Sequence, residues 1–168
     1  SHANLLAESR GIAASALGEM LTEGRTTLMF LPMAHVLARA VSIAAFDRGA
    51  TLGHTADIPR LVESFGAFRP HFILSVPRVF EKVYNSAKQK AHDGGKGKIF
   101  DQAAEVAIEW SKAQDAGGAG LGLKLKHALF DKLVYGKLRQ AMGGQVSWAV
   151  SGGAPLGARL SHFFRGIG

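Results

Sequence analysis

The sequence of 168 residues contains no cysteine, which excludes disulfides and thiolate metal sites. Its seven histidines, at positions 2, 35, 54, 71, 92, 127 and 162, show no paired ligand spacing such as HExxH, so no structural metal is expected. No apolar run approaches the roughly 20 residues that cross a bilayer, and the opening SHANLLAESRG lacks the basic-then-apolar order of a signal peptide. A cytoplasmic location is the expectation. Acids are scarce beside bases, 13 against 20, giving a formal net charge of +7. That excess suits an anionic partner, whether nucleic acid, a membrane surface or a phosphorylated ligand. Aromatic residues make up only 8% and are not interleaved with the basic ones as a stacking platform requires, which argues against nucleic acid.

What is present is an ordinary globular mixture, 47% hydrophobic and 20% charged. A chain of this length buries roughly 70% of its unfolded surface, enough for one domain over residues 1–168. Periodicity alternates along it. NLLAESRGIAASALGEML places Leu5, Ile12, Ala16 and Met20 near helical spacing, with a stop at Gly24. TLMFLP is a short apolar run ended by proline, as in a strand covered on both faces. A helix over VLARAVSIAAFDRG, a strand at ATLGH and a helix over DIPRLVESFGAFRP follow; in the last, Asp57 is the expected N-cap and Leu61, Phe65 and Phe68 share a face. HFILSV reads as a buried strand, and PRVFEKVYNSAKQKAHD as a helix opening at Pro77 with Val79, Val83 and Ala87 spaced by four. From 98 to 142 only helical periodicity occurs, interrupted by DAGGAGLG, so this stretch is a helical insertion. QVSWAV resumes strand character, SGGAPLG is a glycine-rich turn, and ARLSHFFRGIG a closing helix. The expected class is α/β, a parallel sheet flanked by helices.

The chemistry-bearing stretches lie where strands end, which is where open α/β sheets bind ligands. In SWAVSGGAPLGARL two glycines let the backbone turn and approach a ligand before a helix, although plain turn chemistry uses the same residues. It is no GxxxxGK[ST] phosphate loop, because no lysine follows the glycines. LPMAHV delivers His35 to a helix start, either to polarise a carboxylate or carbonyl or to cap the helix, and Arg39 falls on the same helical face. Arg78, just after a strand, either neutralises a ligand or clamps Glu81 or Glu63. Phe72, Phe80 and Tyr84 with the small residues Ala40, Ser42, Ala44 and Ala45 suit either an apolar channel or close helix packing. Residues 121–142 carry Leu125, Leu129, Leu133 and Leu138 among Lys124, Lys126, Lys132, Lys137 and Arg139. Such a basic amphipathic helix lies either on an anionic membrane, which would make the protein membrane-peripheral, or on the sheet as a surface helix.

Together SHANLL, LPMAHV, SVPRVFEKVY and SGGAPL resemble the long-chain fatty-acyl-CoA synthetases of the adenylate-forming superfamily, in the right order over essentially the whole chain. SHANLL is similar to the segment downstream of that family's phosphate loop, and SGGAPL to its adenine-contacting turn. The resemblance implies an internal piece of the large N-terminal domain of a ligase that joins a long-chain fatty acid to CoA with ATP and Mg²⁺. In that reaction the carboxylate attacks the α-phosphate, and the CoA thiol captures the acyl adenylate as AMP leaves. By the same resemblance His35 sits near the acyl carboxylate and adenylate, and the helix carrying Arg39 and Ser42 lines the acyl tunnel, with Arg39 where some relatives carry an aromatic gate. Arg78 joins Arg39 and Ser42 as a substrate-binding candidate, and Ser151, Gly152, Gly153, Ala154 and Pro155 pack on adenine. Without the phosphate-loop and later motifs, the chain alone is expected to be inactive, to retain no cofactor tightly, and to self-associate through exposed strand edges. The competing reading is a basic peripheral-membrane or scaffold module without catalysis.

Overall fold

The computed structural model describes all residues from Ser1 to Gly168, which divide into two compact units. The first comprises Ser1–Ser75 and Met142–Gly153. It holds helix α1 (His2–Ala14), strand β1 (Thr26–Met29), helix α2 (Val36–Asp47), β2 (Thr51–His54), α3 (Leu61–Phe68), β3 (Phe72–Ser75) and β4 (Trp148–Ser151). All strand pairs are parallel, in the order β2-β1-β3-β4. Each apolar run anticipated as a strand is one, and the α/β class holds.

β1 and β3 are central and almost wholly buried, which is why TLM and FIL carry no alternation. Their pairing is reinforced by Thr27, whose buried Oγ1 donates to the Phe72 carbonyl at 2.9 Å. One core face gathers Met20, Leu21, Met29, Val41, Phe72 and Leu74 against the alanines of α2. Ala38, Ala44 and Ala45 are fully buried there. Small residues let α2 lie close on the sheet. Across α1 and α2, the buried Ser9 Oγ donates to Asp47 at 2.7 Å.

Two helix limits differ from expectation. α1 ends at Ala14 because Ser15 is extended (φ −90°, ψ 177°) and its hydroxyl accepts from the Leu17 amide, opening a short 3₁₀ turn over Ala16–Glu19. Gly18 makes the reversal possible: a Cβ there would lie 2.0 Å from the Ala13 carbonyl oxygen. α3 starts at Leu61, four residues after Asp57, because Asp57 accepts from the amide and guanidinium of Arg60 and so caps a preceding turn.

The second unit comprises Val76–Ala141 and Ala154–Gly168 and is entirely helical. It contains α4 (Pro77–Asp93), α5 (Gly97–Asp115), α6 (Leu121–Phe130), a π-helical turn (Asp131–Tyr135), α7 (Gly136–Ala141) and α8 (Ala158–Gly166). The helical periodicity of 98–142 is thus realised, in a unit that also takes in α4 and α8. α4 opens at Pro77 as its sequence implies, but it buries Pro77, Phe80 and Tyr84, not the Val79-Val83-Ala87 stripe. The aromatic side chains decide the face. Tyr84 packs edge-on against Phe163 (centroids 4.8 Å apart, 85°), and Phe80 against Phe164 (5.3 Å). Arg159 lies 4.7 Å over the Tyr84 ring and donates to its hydroxyl at 3.1 Å. α8 crosses α5 backbone to backbone at the buried Gly166.

Candidate active site

In the order β2-β1-β3-β4 the chain reverses direction between β1 and β3, so the carboxyl ends of these two strands flank a topological switch point. Leu31–His35 leaves β1 at this edge. Pro32 accepts from the His35 amide at 3.0 Å in a tight turn, and α2 begins one residue later. His35 occupies the N-cap position (φ −82°, ψ 138°), yet its side chain makes no capping bond. His35 is thus the N-cap by position but not through its side chain: the imidazole is exposed, and the first amides of α2 have no side-chain acceptor.

Two side chains of α2 hold the loop. Arg39 Nε donates to the Met33 carbonyl at 3.2 Å, and Ser42 Oγ donates to the Met33 sulfur at 3.4 Å. Arg39 is exposed and Ser42 buried. Both fix the segment that presents His35, a role the sequence does not announce. Met33 and Val36, on either side of His35, are exposed apolar side chains. Ala44 and Ala45 take the close-packing alternative. The apolar cavity beside α2, lined by Leu17, Met20, Leu21, Val41, Phe72 and Val150 among others, has a volume of about 10 Å³, room for about one water molecule.

β3 and β4 end together, with Ser75 opposite Ser151. The Gly152 amide donates to the Ser75 carbonyl at 3.0 Å, extending the ladder by one bond. The Oγ atoms of Ser75 and Ser151 are both buried without any hydrogen-bond partner. A buried hydroxyl without a partner costs free energy, and the two stand on paired positions of neighbouring strands. Ser75 was not among the sequence-derived candidates. Its only signal was its place at the end of HFILSV.

Gly152 sits against α2: a Cβ there would lie 2.6 Å from a Leu37 methyl. The Gly-Gly turn after β4 and the start of α2 are thereby neighbours on one edge of the sheet. Gly153 has φ 80°, a left-handed conformation that glycine adopts without strain. Ala154 and Pro155 continue the turn in the second unit and are exposed. Arg78, in the first turn of α4, is exposed and is not paired with Glu81.

The family model for AMP-binding enzymes matches residues 1–168. This chain belongs to the AMP-binding enzyme family. A curated relative, a long-chain-fatty-acid–CoA ligase (FadD15) of Mycobacterium tuberculosis, is 55% identical over 168 residues, covering 100% of this chain and 28% of the relative. Long chain acyl-CoA synthetase 4 of Arabidopsis thaliana is 34% identical over 150 residues, 88% of this chain and 22% of that protein. Long-chain-fatty-acid–CoA ligase 5 of Rattus norvegicus is 28% identical over 140 residues, 83% and 19% respectively. The chain thus spans about a quarter of the length of the curated relatives it matches. No solved structure gives a significant match.

No three His, Asp or Glu side chains converge as metal ligands in this chain.

Proposed function

We propose that this chain supplies the acyl- and adenylate-binding edge of a long-chain fatty-acid–CoA ligase that consumes ATP and CoA. The reading rests on one conjunction: the uncapped start of α2 with His35, the Gly152 turn packed on Leu37, and two partnerless serine hydroxyls share the carboxyl edge of one parallel sheet. The names of the relatives give the substrate class.

In such a ligase a fatty acid carboxylate oxygen attacks the α-phosphorus of ATP, pyrophosphate leaves, and the CoA thiol then attacks the acyl carbon and releases AMP. Negative charge grows on the α-phosphate during the first step and must meet fixed donors. His35 and the free first-turn amides of α2 are such donors, because a helix N-terminus combines unpaired N–H groups with the positive end of its dipole. Arg39 keeps a cation one turn away while its Nε holds the loop. Ser42 acts through Met33, seating the loop without reaching a ligand itself. Met33 and Val36 are the apolar side chains available to the acyl chain. Gly152 and Gly153 allow a flat adenine ring to approach the backbone, and Ser151, Ala154 and Pro155 are the neighbouring residues in sequence assigned to the same adenine contact. Arg78 remains free to neutralise a ligand anion.

The test is hydrogen exchange on the chain with and without a non-hydrolysable acyl-adenylate, an acyl sulfamoyl adenosine. Protection concentrated in residues 31–37 and 150–155 is expected; binding that protects neither segment refutes the assignment. The chain by itself is expected to release no pyrophosphate from fatty acid and ATP. Measurable release would overturn that expectation.

A further inference from the structure

α6 presents an unusual surface. Leu121, Leu125, Leu129 and Leu133, spaced by four along the helix and the π-helical turn, are 80%, 73%, 56% and 49% exposed. Single exposed leucines are ordinary, but a row of four is not. Residues four apart lie one above another on a helix, so the row forms one ridge. The opposite face is the one that packs. His127 stacks on Trp110 of α5 (4.2 Å, 21°), its Nε2 lies 2.7 Å from the Gly166 carbonyl oxygen, and Tyr135 is fully buried with its hydroxyl donating to the Ala103 carbonyl at 2.7 Å. These anchors fix the rotation of α6 and point the leucines to solvent.

The charges around the ridge say what it fits. Lys124, Lys126 and Lys132 are exposed, and none has a carboxylate partner. The only acid between 121 and 142 is Asp131, and Arg139 neutralises it at 2.7 Å. A groove on another protein would have to bring apolar area and a matching set of acids together. An anionic bilayer offers both everywhere, acyl chains for the leucines and headgroups for the lysines. No helix here is long and apolar enough to cross a membrane, so the contact is interfacial.

We propose that α6 and the following π-helical turn form a docking face for an anionic phospholipid surface, with the four leucines inserted at the headgroup level and Lys124, Lys126 and Lys132 over the phosphates. The inference is independent of the sheet-edge site, which lies on other residues.

The experiment is co-sedimentation of the chain with vesicles of equal parts phosphatidylcholine and phosphatidylglycerol, and with vesicles of phosphatidylcholine alone. Each basic residue at an anionic surface contributes about fivefold in affinity, so Lys124→Gln/Lys126→Gln/Lys132→Gln should weaken binding about a hundredfold. Leu125→Gln/Leu129→Gln should weaken it strongly without altering charge. A control with the same charge change elsewhere in the unit, Lys82→Gln/Lys90→Gln/Lys96→Gln, should weaken it far less. All these side chains are exposed, and unchanged circular dichroism melting will show that the variants fold. The proposal is overturned by no binding to the anionic vesicles, by equal binding to neutral ones, by a control as damaging as the face variant, or by indifference to the leucine substitutions.

Discussion

Replacing Gly166 by alanine tests the packing of the helical unit through a single methyl group. A Cβ at that position would lie 1.9 Å from the Ala107 carbonyl oxygen, 2.5 Å from its carbon and 2.9 Å from its Cα. All three are backbone atoms of α5, so no rotamer change relieves the clash. Non-bonded heavy atoms rest about 3.5 Å apart, so α8 must retreat from α5 by about 1.5 Å. That movement disturbs the Tyr84–Phe163 and Phe80–Phe164 pairs and the contact between His127 and the Gly166 carbonyl. Overpacking costs about 1–3 kcal/mol, and each aromatic pair adds about 0.5–1.5 kcal/mol. A loss of about 4 kcal/mol follows, which for a chain of this size lowers Tm by about 8–16 °C. Helix propensity alone predicts the opposite sign, because alanine is favoured over glycine in a helix by about 1 kcal/mol. Thermal melting by circular dichroism reads the sign, and hydrogen exchange in α5 and α8 reads the location. An unchanged or raised Tm would refute the backbone-to-backbone crossing.

Further outcomes can be checked in the same preparations. Tyr135→Phe removes the second hydrogen bond on the Ala103 carbonyl, which keeps its helical partner in α5, and should cost about 0.5–1.5 kcal/mol in urea unfolding; a neutral result would mean that the hydroxyl adds nothing to the helical bond. The Arg139 guanidinium, hydrogen-bonded to Asp131, holds that carboxyl below the usual carboxylate range. Asp131→Asn should therefore reduce stability at neutral pH, by less than about 1 kcal/mol for so exposed a pair. The gap between the two proteins should close as pH falls below about 3.9, through the depressed native value; a gap that persists at lower pH would contradict the ion pair. β4 is an outer strand with its first two residues exposed, so self-association at tens of micromolar is expected, and a clean monomer by light scattering would contradict it.

The elements legible in the sequence are those whose signals are local. Pro32 ends β1 and Pro77 opens α4 because proline's missing amide and fixed φ act on the spot. The apolar runs TLM and FIL reveal central strands because both faces are buried. Features that depend on distant partners were hidden. Val79 and Ala87 match the helical period as well as Phe80 and Tyr84 do, and the rings of α8 and Phe100 of α5 choose between the faces. The break at Ser15 depends on Gly18 folding back onto Ala13. At the site, His35 and the Gly152–Gly153 turn were visible as polar and glycine residues after apolar runs. Their adjacency was not, because it follows from the non-sequential strand order and from Leu37 against Gly152. The paired hydroxyls of Ser75 and Ser151 exist only through the register of β3 with β4. Lysines and leucines on α6 were equally evident, yet which face would be buried was set by Trp110 and Ala103, far along the chain.

The central claim is that the carboxyl edge of this sheet binds an acyl adenylate. Calorimetric titration of the chain with a long-chain acyl sulfamoyl adenosine, repeated with His35→Ala, tests it most directly, since the exposed imidazole contributes nothing to the core. Saturable binding that His35→Ala weakens is the predicted result. An absence of binding by a chain shown to be folded, or binding that is indifferent to His35, would contradict it.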